Sequence, residues 1–405
     1  MEEKQNKKSG SLIVTIIICV VAVAAMIGVV IVLSTPSKSV KEAKKEAETE
    51  AVKTAEELFE EKDYENALVK YEENIKADNK DIASYLGMAG CYEELKNDNA
   101  ARKILLDAID ADSASDLIGD VYTLYADICV ANDEDFEAYE ILNEAGLLDD
   151  YDNSSFEMPD LTPHLNEEGN YVYGVYPSYR MDAERINDTI KNADYDDNDF
   201  ATVYGIQIAR VGEGDEATYY AFDQVEWKVL SEDETTVFLQ TAKVIDNTCY
   251  HEVDEEIHYP YTTLRTWLTG SFIETLTAGD ESLLNDISLE PSNNPDYNKK
   301  TGDYITDKCT ILSIEEVVDG ANGYEEGRKD ESENRKCGAT DYAADKGVYV
   351  DSSGNCKWML RTCGCTRDLV AVVGETGIIN CDGYFVNGTN LGVRPVICLT
   401  IKGDE

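Results

Sequence analysis

Residues 64–112 read YENALVKYEENIKADNKDIASYLGMAGCYEELKNDNAARKILLDAIDAD. Within them Ala67, Tyr71, Ile75 and Asp78 return as Ala101, Leu105, Ile109 and Asp112, each 34 residues further on. Apolar side chains four apart share one face of a helix, and a 34-residue period belongs to a helix pair that buries this face only against the next pair. The same spacing runs outward through Ala55, Leu58 and Phe59 on one side and Leu117, Val121, Leu124, Tyr125 and Ile128 on the other, with no alternating or glycine-rich break. Residues 51–148 therefore read as all-helical. A third copy, around residues 122–145, slips out of register, leaving about two and a half legible units where such arrays need about three. The array is predicted to lean on a neighbouring domain or on a second copy of the chain, as in a homo-oligomer.

Tyr85, Leu86 and Gly87, followed by Tyr92, resemble the first-helix motif of tetratricopeptide repeats, where a small residue at the Gly87 position lets paired helices approach closely. The resemblance implies a peptide-binding groove; a stalk that holds the distal domain away from its base is the simpler use of so short an array.

Upstream, residues 12–33 read LIVTIIICVVAVAAMIGVVIVL, from Leu12 to Leu33, with only Thr15, Cys19 and Gly28 breaking the aliphatic run. At 1.5 Å per residue this is long enough to cross a hydrocarbon layer about 30 Å thick. Ala22-Val23-Ala24 offers a signal-peptidase site, but the apolar run continues to Leu33 and outlasts a signal-peptide core. The expectation is a tail at residues 1–11, a transmembrane helix at 12–34 and a polar linker at 35–50, with a lipid bilayer as partner. Lysines flank the run on both sides, so only the shortness of the tail places the C-terminal portion outside the cell.

With 82 acidic against 35 basic residues the formal charge is −47. Such a field repels phosphate backbones and argues against a nucleic-acid partner; it serves solubility first, and attraction of Ca²⁺ or cationic peptides second.

Residues 149–170 are acidic and hold two of the eight prolines, a connector. Beyond them the period changes to two: Val225, Trp227 and Val229 alternate with Glu226 and Lys228, and Val237, Phe238 and Leu239 supply a hairpin partner. Leu264, Trp267, Leu268, Phe272 and Leu276 then keep helical spacing, and short strand candidates follow at residues 310–312, 358–361, 371–373 and 393–399. Residues 171–405 are thus predicted to be an α+β domain, an antiparallel sheet with one or two helices. The predicted fold class is multidomain: one transmembrane helix, all-α tetratricopeptide-like repeats, then this domain.

Its motifs occur in a set order: Glu226-Trp227-Lys228-Val229-Leu230, Leu264-Arg265-Thr266-Trp267-Leu268, Leu312-Ser313-Ile314-Glu315-Glu316, Arg335-Lys336-Cys337, Trp358-Met359-Leu360-Arg361 and Gly392-Val393-Arg394-Pro395-Val396. In this order they resemble an uncharacterised bacterial surface domain family, a domain of unknown function, over residues 174–401. The resemblance implies that Trp227, Arg265, Trp267, Gly392 and Pro395 are structural. The late Trp strand and final Gly-x-Arg strand also resemble C-type-lectin-like and sulfatase-modifying-factor-like domains, a fold that implies binding more often than catalysis. About 50 residues separate Gly174-Val175-Tyr176-Pro177 from Glu226, longer than this family's pattern, and this leaves the early strand pairing open.

Eight of the 11 cysteines lie in this domain. Cys337, Cys356, Cys363, Cys365 and Cys381 are candidates for disulfides stapling long loops, and buried free thiols explain them equally well. Their spacing lacks the Cys-x2-Cys pairs of a zinc module. Asp194, Asp196 and Asn198 match the first calcium-loop positions, but Asp199 stands where glycine is needed and Gly205 where a glutamate is needed. No metal or cofactor signature emerges, and His251 and His258 have no serine motif beside them. Arg265, Arg335, Arg361 and Arg394 sit inside apolar motifs, so buried ion pairs are expected. Alternatively Tyr342, Trp358, Arg361 and Arg394 line a shallow cleft for an envelope glycan or peptide. The functional expectation is a non-catalytic binding or interaction role at a bacterial cell envelope, with the repeats as stalk or partner surface. The rivals are an extracellular hydrolase with an unrecognised site and a structural envelope scaffold.

Overall fold

Thr54 opens the helical region with a capping box: its hydroxyl accepts from the Glu57 N–H, and the Glu57 carboxylate accepts from the Thr54 N–H. The computed structural model describes residues 53–151 and 159–401, and the contacts divide the chain after Ile128 into two units. The first unit holds α1 (Ala55–Glu60), α2 (Tyr64–Ala77), α3 (Ile82–Glu94), α4 (Asp98–Asp112) and most of α5 (Ile118–Ala131). Asp81 and Asn97 cap α3 and α4 through their side chains. Ala67 and Ala101, the repeat's small positions, are both fully buried. Gly87 does what the motif requires: a Cβ there would stand 2.3 Å from the Tyr71 ring, which is itself buried, so α2 and α3 touch at a distance only glycine permits.

The turn between paired helices also repeats. Lys62 and Lys96, 34 residues apart, both take a left-handed conformation, and Asp133 does so 37 residues after Lys96. Three additional residues explain why the third copy loses its register in the sequence.

The expectation of a single-pass membrane protein is corrected. Among the described residues no helix is long and apolar enough to cross a membrane, and the run from Leu12 to Leu33 lies outside the described residues, as do the tail and linker around it.

The second unit begins with the end of α5 and α6 (Asp135–Ala145) and is otherwise β-rich. After β1 (His164–Leu165) come β2 (Tyr171–Arg180), β3 (Phe200–Val203), β4 (Ile206–Val211), β5 (Thr218–Glu232) and β6 (Thr236–Thr241). Further on lie β7 (Ile287–Leu289), β8 (Ser292–Asn294), β9 (Lys299–Thr301), β10 (Ile305–Asp307), β11 (Cys309–Thr310), β12 (Trp358–Cys363), β13 (Leu369–Val373), β14 (Ile379–Phe385) and β15 (Val396–Thr400). The main sheet runs β1-β2-β5-β6-β15-β11, all antiparallel. The β5–β6 hairpin is the one the alternation predicted, with Trp227 opposite Thr241 and Val229 opposite Leu239.

Period-two alternation gives this sheet two buried faces. Val237, Leu239, Ile397 and Leu399 join one core with Trp227, while Leu230 and Val396 join another with Trp358. The long stretch before Glu226 also has its answer. Residues 200–211 form a hairpin whose two-residue turn, Tyr204 and Gly205, has positive φ at both positions, and β4 then adds to β5 beside the site where β6 pairs. Gly174 marks a bulge in β2, with φ +72° and no room for a Cβ, since the Leu276 carbonyl oxygen would lie 2.5 Å away. The helix expected over residues 264–276 is broken into Thr263–Trp267 and Ile273–Leu276, because Gly270 leaves helical geometry between them.

Candidate functional site

Tyr342, Trp358, Arg361 and Arg394 do not form an open cleft; all four are interior. Tyr342 lies in the first core, edge-on to Tyr220 and Tyr176 with centroids 5.3 and 6.1 Å away. Trp358 lies in the second, its indole N–H donating to the Arg335 carbonyl at 3.2 Å. Only Trp358 and Arg394 are brought together, with the guanidinium 4.7 Å from the ring centroid. Arg361 is committed to Glu316, one bond being 2.6 Å, and to the Ile311 carbonyl. Burial is the physical reason the shallow-cleft reading fails: Trp358 and Arg394 expose nothing to solvent.

The expected ion pairs divide into two kinds. Arg265 and Arg361 meet carboxylates, Arg265 with a fork of bonds to both oxygens of buried Asp307 at 2.8 and 2.6 Å. Arg335 and Arg394 meet carbonyl oxygens instead. Arg335 donates to the carbonyls of Gly377, Glu325 and Asp330. Arg394 donates through Nε and Nη2 to the Thr241 carbonyl, and its Nη1 has no partner among the described residues.

The remaining structural residues hold the sheet. The Trp227 indole donates to the Tyr173 carbonyl at 2.8 Å, Trp267 packs 5.0 Å from the Phe272 ring, and the Pro395 carbonyl accepts from Thr241. Gly392 stands where a Cβ would be 2.3 Å from Val244. Cys337, Cys356, Cys363, Cys365 and Cys381 are all free thiols, four of them buried, so no disulfide staples their loops in this structure. Asp196 turns its carboxylate back on its own loop, accepting from the N–H groups of Asn198 and Phe200. His251 and His258 likewise accept backbone N–H bonds.

A cleft of about 640 Å³ lies elsewhere in the second unit. One wall is α6, which presents Phe136, Tyr139, Glu140, Asn143 and Glu144 at i, i+3, i+4, i+7 and i+8. Opposite stand Tyr173 of β2, Gln207 of β4, Gln224 of β5 and the loop carrying Thr277 and Asp280. Gly205 brings the hairpin against the helix, because a Cβ there would lie 2.5 Å from the Glu144 Cβ. The Phe136 and Tyr139 rings stack at 6.2 Å along the aromatic side.

Two buried glutamates of α6 receive opposite treatment. Glu137 is ion-paired with Arg185 and accepts from the Tyr179 hydroxyl at 2.9 Å. Glu140 is 7% exposed and has no cation in contact among the described residues; it accepts from the Gln207 side-chain amide at 3.0 Å and from the Gln207 N–H. Burial pushes its carboxyl up to about 8 against the lowering effect of those bonds, and Asp223 on β5 raises it further. Asp223 itself is pushed up to about 6 by burial. Glu140 thus keeps its proton near neutral pH, while aromatic faces, amides and hydroxyls around it can orient a polar ligand. None of the cleft's polar or aromatic side chains stands out in the sequence as a binding candidate. The signal that marks them is a glutamate inside the apolar stripe of a helix, where Glu140 follows Phe136 and Tyr139.

Residues 58–117 match the tetratricopeptide repeat family, and residues 234–401 match a family described as Domain of unknown function (DUF6273). No curated protein and no solved structure matches the chain.

Proposed function

We propose that this chain is a non-catalytic binding protein whose β-rich domain takes a ligand in the α6 cleft while the helical repeats offer a surface to a protein partner. The observation that carries this reading is the cleft itself. It has aromatic walls, amide and hydroxyl groups from Asn143, Thr162, Thr202, Gln207 and Gln224, and, among the described residues, no histidine, cysteine or lysine in its lining. Stacked helix pairs of the tetratricopeptide kind build extended binding surfaces, which supports the second half of the proposal. The late Trp358 strand, bridged to Gly392 just before the last strand, favours kinship with lectin-like binding domains, where recognition rather than chemistry is the common use.

One observation favours a hydrolase as the second reading: Glu140 and Asp223 are neighbouring carboxyls whose proton affinities are raised to different extents, the arrangement of an acid and a base. The test is a pair of arrays, glycans and peptides, probed with the full chain and with Thr202→Trp, which fills the cleft from an exposed strand position. Retention on one array that Thr202→Trp abolishes supports the binding reading. Turnover of the retained ligand, lost in Glu140→Gln, establishes the hydrolase. Retention that Thr202→Trp leaves unchanged refutes a role for the cleft.

A further inference from the structure

We propose that the α6 cleft is selective for an alkylammonium group, a lysine side chain of a peptide or a free aliphatic amine, seated between the Phe136 and Tyr139 rings and the Glu140 carboxyl. This deepens the binding reading above and rests on it.

Three features converge. Among the described residues the lining includes three acids, Glu140 and Glu144 from α6 and Asp280 from the facing loop, and no lysine, arginine or histidine. Aromatic rings beside carboxylates are the surroundings in which an ammonium is held both by charge and by ring faces. The contrast with Glu137 is the most telling: three residues earlier on the same helix a buried glutamate has its guanidinium from Arg185, whereas Glu140 reaches the cleft with amide donors alone. Hydrogen bonds from Gln207 hold the carboxyl in place without supplying a countercharge, a position that an incoming cation fills.

Binding then moves a proton. The titratable groups around Glu140 among the described residues are Asp223 from β5, whose charge acts on it, and, in the lining of the same cleft, Glu144 of its own helix, Asp280 of the loop and the Tyr139 and Tyr173 hydroxyls; none is cationic. Glu140 carries its proton at pH 7, and an ammonium placed beside it favours the ionised form. The proton leaves to solvent as the cation enters, so affinity rises as pH rises toward about 8.

The experiment uses the full chain and three probes of matched length: Nα-acetyl-lysine methylamide, its uncharged norleucine analogue, and 1,5-diaminopentane. Calorimetric titration at pH 7 in buffers of different ionisation enthalpy reads affinity and proton release together. The expected result is binding of the lysine probe at least tenfold tighter than the norleucine probe, close to one proton released per ligand, and a tenfold loss in both Glu140→Gln and Thr202→Trp. Glu234→Gln, an exposed hairpin acid, leaves the affinity unchanged. Tighter binding of the diamine than of the lysine probe assigns the site to free amines, and the reverse order assigns it to peptides; either supports the selectivity. Equal binding of the lysine and norleucine probes overturns the ammonium selectivity while leaving the cleft a binding site. Amine binding that persists unchanged in Thr202→Trp is attraction to the acidic surface alone, and overturns the inference whatever the arrays show.

Discussion

Glu140→Gln is expected to make the second unit more stable at neutral and alkaline pH and to flatten its pH dependence. In the unfolded chain this carboxyl ionises near 4.5, and in the folded chain burial raises it to about 8. A folded-state value above the unfolded one means that the group's contribution is complete below pH 4.5 and is lost as pH climbs through about 8. With about 1.4 kcal/mol per unit, the wild-type chain forfeits on the order of 1 kcal/mol at pH 5 and 3 kcal/mol at pH 7 through this one side chain. Glutamine keeps an oxygen to accept from Gln207 and has no proton to lose, so the variant gains about those amounts, growing with pH. All three tryptophans, Trp227, Trp267 and Trp358, belong to the second unit, and urea unfolding followed by their fluorescence reads its stability directly. Asp223 is raised in the same direction but is present in both proteins, so the difference between the two pH profiles reads Glu140 together with its coupling to Asp223. Parallel profiles from pH 5 to 8 would refute the uncompensated buried carboxyl, and with it the electrostatic basis of the cleft.

Gly87→Ala should destabilise the first unit by about 1–2 kcal/mol, because a methyl group meets the buried Tyr71 ring and the cost of overpacking exceeds alanine's gain in helix propensity; thermal melting followed by far-ultraviolet circular dichroism measures it, and an increase in stability would contradict the close helix contact. Arg265→Met should cost about 3 kcal/mol by leaving Asp307 buried without its partner, while Asp307→Leu on that background recovers most of the loss; a double-mutant cycle showing simple additivity would mean the fork carries no coupling. Thiol reagents at pH 7 should label Cys249, Cys365 and Cys398 first and reach Cys309, Cys337, Cys356, Cys363 and Cys381 only in denaturant, since burial pushes the Cys309 and Cys356 thiols up; a disulfide among the last four in the oxidised protein, seen as a mass two hydrogens lower, would contradict the free-thiol arrangement.

What the sequence determined by itself is the part that lives within single segments. The 34-residue return of Ala67 at Ala101 forces paired helices, and the Trp227 alternation forces a half-buried strand with a hairpin partner, because periods of 3.6 and 2 are properties of one helix or one strand. Gly87 was legible for the same reason, as a gap in one helix face. Tertiary structure decided everything that depends on which segments meet. Arg265 and Arg394 look alike in the chain, yet one finds Asp307 and the other a carbonyl oxygen 153 residues away. Tyr342 and Trp358, residue types that suit a shared cleft, lie in two different cores. Glu140 is an ordinary helical glutamate until Gln207 and Asp223 close over it from strands about 70–80 residues further on. The proton it holds arises from burial by distant residues, and no local pattern encodes that.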